Sequence, residues 1–111
     1  MLNPTAWWVA LAPMDLRAGM DRLLAQVQSM AHDPMAGAAY VFRNRAGTRL
    51  KLVCADGNGV WLCVRRLDRG RFVWPRAGDA LWTLSSEQMR WLCQGVDWQR
   101  LSAQPLVGAQ L

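Results

Sequence analysis

Hydrophobic and polar positions divide the chain into three stretches. Trp7, Trp8, Val9, Ala10 and Leu11 form a short apolar run that predicts a first strand, ended near Pro13. Leu16, Met20, Leu23, Leu24, Val27, Met30 and Ala31 then recur at spacings of three and four, the signature of one helical stripe. Asp15 stands where an N-cap belongs, and Asp33-Pro34 stops the helix. Gly19 falls inside it, at a cost of about 1 kcal/mol against Ala, which suggests a close packing contact.

From residue 39 onward the period changes to that of strands. β-prone runs at 39–43, 48–55, 60–67, 71–74 and 81–84 alternate with turn signals at Asn44-Arg45-Ala46-Gly47, Asp56-Gly57-Asn58-Gly59 and Asp68-Arg69-Gly70. The links are too short for parallel crossovers, so the expectation is an antiparallel meander of four to five strands. Asn58-Gly59 is the strongest local turn signal. If it forms the two-residue turn, Cys54 faces Cys63 across the ladder; if Gly57-Asn58 does, the pairing shifts.

Ser85 followed by Gln88 reads as a capping box opening a second helix, with Met89, Leu92, Cys93 and Val96 as its apolar stripe and Gly95 at its end. The whole predicts one α+β domain over residues 1–102, an antiparallel β-meander with two helices packed on one face. Residues 103–111 read as a flexible tail.

Composition narrows the possibilities. With 111 residues, 52% of them hydrophobic and 19% charged, the chain suits one folded domain rather than a disordered segment. Its longest apolar run, Ala6 to Met14, is well short of the roughly 18 residues of a membrane span, and no cation precedes it as in a secretory signal. One His and three Cys without a C-x-x-C pair argue against a zinc site, and the Cys usage suits a reducing cytoplasm. The sequence offers no catalytic constellation and no cofactor motif. His32 sits where a cation suits a helix C-terminus, no second His can activate a cysteine, and each acid has a local role in a turn, a cap or a helix surface. The expectation is a protein that is not an enzyme.

Charge changes the picture most. Twelve of the 13 basic residues are Arg, and the net charge is +5. Residues 43–76 hold nine basic residues (Arg43, Arg45, Arg49, Lys51, Arg65, Arg66, Arg69, Arg71, Arg76) against Asp56 and Asp68, a net +7. In a meander, alternate turns lie at one end of the sheet, so the turns near 46 and 69 should gather guanidinium groups at one edge. Guanidinium grips phosphate bidentately, and Trp74 beside Arg76 could stack on a base. A turn arginine is commonly just solvated and a strand tryptophan commonly core; the asymmetry as a whole is what points to nucleic acid. The candidate nucleic-acid-binding set is Arg43, Arg45, Arg49, Arg65, Arg66, Arg69, Arg71, Trp74 and Arg76. A basic edge that docks an acidic protein is the alternative.

Three blocks of residues carry a resemblance. They are Pro13-Met14-Asp15-Leu16-Arg17-Ala18-Gly19-Met20-Asp21; the run from Asp33-Pro34 through Tyr40-Val41-Phe42-Arg43-Asn44-Arg45, Gly47, Lys51, Asp56, Gly57, Gly59, Trp61-Leu62, Arg65-Arg66-Leu67 and Gly70-Arg71-Phe72-Val73-Trp74-Pro75; and Leu84-Ser85, Gln88 and Gly95-Val96-Asp97-Trp98. Over roughly residues 9 to 100 the chain resembles the accessory product, TnpB or second open reading frame product, of the insertion-sequence sixty-six family of bacterial transposable elements. Leu16 and Ala18 depart from the Met and Lys usual there, and Arg65 stands where Lys is common. The resemblance implies a helper of transposition beside a separate transposase that carries the catalytic acids. Element-end DNA and that transposase are the implied partners, with a homo-oligomer possible and no membrane. Arg17 matches the family's Arg, and pairing with Asp21 on the helix would explain it equally well.

Overall fold

A computed structural model describes residues 1–101; the expected tail at 103–111 lies outside the described residues. The elements are β1 (Trp7–Ala10), α1 (Met20–Ser29), β2 (Ala39–Arg43), β3 (Arg49–Ala55), β4 (Val60–Arg66), β5 (Leu81–Leu84) and α2 (Ser86–Cys93), with a last helical turn at 98–101. They make one five-stranded sheet in the order β4-β3-β2-β1-β5, an α+β fold as the sequence leads one to expect.

Several details within that class differ. The meander is real for β2, β3 and β4, which pair antiparallel, but β1 runs parallel to β2. The link between them contains α1, long enough for the crossover that parallel pairing requires. β5 does not extend the meander; it crosses to the far side and pairs antiparallel with β1. Residues 71–74, expected as a strand, have no strand conformation and run back across the end of the sheet.

The helices lie on opposite faces, not on one. Leu23 and Val27 of α1 pack with Ala10, Tyr40, Phe42, Val53 and Leu81. Met89 and Leu92 of α2 pack with Val9, Val41, Leu50, Leu52 and Leu84, beside Phe72, Trp74 and Trp98. The strand sequences explain this: both alternating sets of β2 are apolar, so the central sheet needs a cover on each side.

Local chemistry sets the boundaries. The Ser85 side chain accepts from the Gln88 backbone N–H and the Gln88 side chain accepts from the Ser85 N–H, a complete capping box. Asp15 is not the cap of α1. The helix begins later, with Gly19 at the N-cap, and Asp15 turns to Arg17. His32 lies past the helix end, its ring edge-on to Trp8 and its Nδ1 3.1 Å from the Tyr40 hydroxyl. The β3–β4 turn uses Gly57-Asn58, not Asn58-Gly59. The Asp56 N–H donates to Gly59 O, and the Asp56 carboxylate accepts from the Asn58 and Gly59 N–H groups. The carboxylate at the first turn position decides the register, so Cys54 faces Trp61 while Cys63 faces Leu52. All three cysteines are free thiols.

Candidate functional site

The sheet topology gives the molecule two unlike ends. At one, β1, β2 and β4 finish while β3 and β5 begin, so segments 11–19, 44–48 and 67–80 converge there. Backbone hydrogen bonds tie them together: Leu67 N–H to Thr48 O (2.9 Å), Phe72 N–H to Gly47 O (2.8 Å), Met14 N–H to Arg43 O (2.9 Å) and Leu11 N–H to Ala80 O (2.9 Å). Gly47 makes the 44–48 turn possible with φ near +73°, a conformation that side chains disfavour. The turns near 46 and 69 therefore meet, as the alternation of hairpin ends requires.

Charge follows this division. Arg17, Arg43, Arg45, Arg49, Arg65, Arg66, Arg69, Arg71 and Arg76 belong to the strand ends and loops of this end, against Asp15, Asp68 and Asp79. The loops of the opposite end, 30–38 and 56–59, carry Asp33 and Asp56 and neither Lys nor Arg.

The predicted residues do not all have the same status. Arg45, Arg49, Arg69, Arg71 and Arg76 are exposed and form no ion pair among the described residues. Arg66 is exposed and reaches Asp68 at 3.2 Å, a pair of small energetic weight in water. Arg65 lies on the opposite face of β4 from Arg66, and its Nε donates to the Cys93 carbonyl at the end of α2, where a cation is favoured.

Two candidates are engaged by the protein itself. Trp74 is 7% exposed, packs in the core and donates its indole N–H to Ala10 O. Its ring cannot serve as a stacking platform for a base. Arg43 lies over that ring with its guanidinium carbon 6.0 Å from the centroid and donates to Leu11 O at 3.3 Å. Its Nε is buried without a partner, and burial pulls its pKa below the ordinary guanidinium value. Arg43 braces the loop after β1 rather than the outer rim.

Lys51 and Arg17 stand beside the candidate set. Lys51 stands two residues from Arg49 on β3, hence on the same face, and donates to Ala18 O at 3.1 Å. Together with Asp15, Leu16, Arg17, Asn44 and Val64 the two cations line an open cleft beside the start of α1. Period-two spacing was the signal for Lys51. Arg17 pairs with Asp15 at 2.7 Å, not with Asp21, and that fork lowers the Asp15 pKa to about 2.

Among the described residues no group of three His, Cys, Asp or Glu side chains could hold a metal ion, and no helix is long and apolar enough to cross a membrane. Burial pushes the Cys54 and Cys93 thiols up from their ordinary values, away from thiolate chemistry.

Comparison with known proteins places this architecture. Two proteins of Sinorhizobium fredii are similar over most of the chain. One, y4hO, is 41% identical over 93 residues, covering 83% of this chain and 81% of the relative. The other, y4jC, is 36% identical over 99 residues, covering 88% and 85%. Neither name states an activity, and no solved structure matches. The model of the IS66 Orf2-like proteins (TnpB) matches residues 5–103, nearly the whole chain, and the protein belongs to that family of transposition-associated accessory proteins.

Proposed function

We propose that the protein is a non-catalytic accessory factor that holds element DNA through the arginine-rich end of its sheet while a separate transposase carries out the chemistry. The observation that carries this reading is the gathering of nine arginines against three acids on strand ends and loops stitched together by backbone hydrogen bonds. A rigid cationic rim suits a phosphate backbone, because guanidinium stays charged and binds phosphate oxygens in pairs. Arg45, Arg49, Arg69, Arg71 and Arg76 are available for contact, and Arg17, Lys51 and Arg66 extend the rim onto the α1 face. The rim is made of turns and strand ends, so contact is to phosphates, which position a protein without reading sequence.

The test is binding of duplex and single-stranded element-end DNA as a function of salt. Each phosphate neutralised on duplex DNA contributes about −0.9 to the slope of log affinity against log salt. A combined Arg66→Ala, Arg69→Ala and Arg71→Ala variant should lose DNA binding and keep its complex with the transposase. Loss of the transposase complex with DNA binding intact would mean that the rim docks a protein instead.

A further inference from the structure

β4 is the outer strand of the sheet, and among the described residues no strand pairs with its outer edge. All seven residues, Val60 to Arg66, pair with β3 without a bulge, and the strand contains neither Pro nor Gly. Trp61, Leu62 and Val64 are 45%, 44% and 62% exposed. Edge strands are ordinarily protected by being short, bulged, covered or charged; here only the last two positions, Arg65 and Arg66, carry charge. The other edge, β5, is shorter and has both of its leucines buried.

The hydrogen-bonding direction of the edge follows from the ladder. Gly59 and Leu67 face β3, through Asp56 N–H to Gly59 O and Leu67 N–H to Thr48 O. Alternation in an antiparallel pair then turns Trp61, Cys63 and Arg65 toward β3, and leaves the backbone groups of Val60, Leu62, Val64 and Arg66 pointing away from the sheet.

We propose that β4 pairs antiparallel with β4 of a second copy of this chain, in a register centred on Cys63. That register puts Val60 opposite Arg66 and Leu62 opposite Val64 of the other copy. All four outward residues of each strand then find backbone partners. It sets Trp61 opposite Arg65, where an indole face can receive a guanidinium. It also keeps the two Arg65-Arg66 pairs at opposite ends of the seam, each beside the hairpin end that carries Asp56, so charge and shape are self-complementary as a two-fold contact requires. Neighbouring two-fold registers, centred on Leu62 or Val64, shorten the overlap or bring the arginines closer together.

Light scattering on the full-length protein reads the assembly. The expected result is twice the mass of one chain, falling to one chain for Val64→Pro, which deletes an outward N–H and leaves the β3 ladder whole, with circular dichroism unchanged. Independently of that variant's folding, a chain retaining only Cys63 (Cys54→Ala, Cys93→Ala) should form a covalent dimer on mild copper–phenanthroline oxidation in air, since facing residues of an antiparallel pair fall within disulfide reach. A single-chain mass for the native protein overturns the proposal. So does a dimer that survives Val64→Pro without a Cys63 cross-link. So does a monomer whose β4 amides resist exchange until residues 102–111 are removed, which would make the end of the chain the cover.

Discussion

Arg49 and Arg66 stand directly opposite each other across the β3–β4 ladder, on the same face of the sheet. Like charges in that position cost stability, on the order of 0.2–1 kcal/mol. Asp68 relieves Arg66 only in part, from a largely exposed position. A folded protein that keeps such a pair invites the reading that an anion completes it. Arg49→Glu should raise the unfolding free energy at low salt, followed by urea, by an amount on the order of 0.5 kcal/mol, while weakening DNA binding. A variant that is both less stable and equally able to bind DNA would contradict the assignment.

Trp74 should behave as a core residue. Removing a buried tryptophan side chain typically costs about 3–5 kcal/mol, and Trp74→Ala also strips the Ala10 carbonyl of its indole donor. Denaturant unfolding of Trp74→Ala should show a loss of that size. Arg76→Ala, on an exposed loop, should unfold like the native chain and change only DNA affinity.

Asp15 gives a stability signature in acid. Its pKa is lowered from 3.8 to about 2, chiefly by the hydrogen bonds from the Arg17 side chain and backbone. Since the folded value is depressed, the contribution is complete above about pH 4 and disappears as the pH falls through about 2. Arg17→Ala should return the carboxyl titration, followed by NMR, toward its ordinary range. An Asp15 that still titrates near 2 in that variant would place the cause elsewhere.

Ser85→Ala removes the side-chain oxygen that accepts the Gln88 N–H and should destabilise the protein by about 1 kcal/mol. Gln88→Ala should remove the other half of the box. The double variant should fall short of the sum of the two losses, because each half positions the other. Thermal melts of the three variants decide this.

Much of the fold was legible in the chain. β-prone runs between turn signals gave β2, β3 and β4, the stripe Leu23–Val27 gave α1, and Ser85 with Gln88 gave the start of α2. The meeting of the turns near 46 and 69 followed from the arithmetic of hairpins alone. Strand partnership was not legible, because four residues such as Trp7–Ala10 or Leu81–Leu84 show that a strand exists without saying which neighbour it takes. The side of each helix was hidden for a related reason: amphipathic stripes say what is buried, not beneath which face. At the site, eight arginines were visible, but an Arg beside a Trp reads alike whether the pair faces a nucleotide or, as with Arg43 and Trp74, the two side chains pack on each other. Lys51 stands two residues from Arg49 and so shares its face of β3, a relation that the sequence spacing already implies.

The parallel seam between β1 and β2 has a consequence for how the chain is made. β1, the earliest strand of this sheet in chain order, occupies an inner place, with Val41 on one flank of Val9 and Trp82 on the other. It waits for most of the domain to be synthesised before its second flank is satisfied, and closures of such long sequence separation slow folding. A nascent chain halted before Leu81 holds β1 bare along one side, so β5 works as a latch on a sheet whose inner strand is made early.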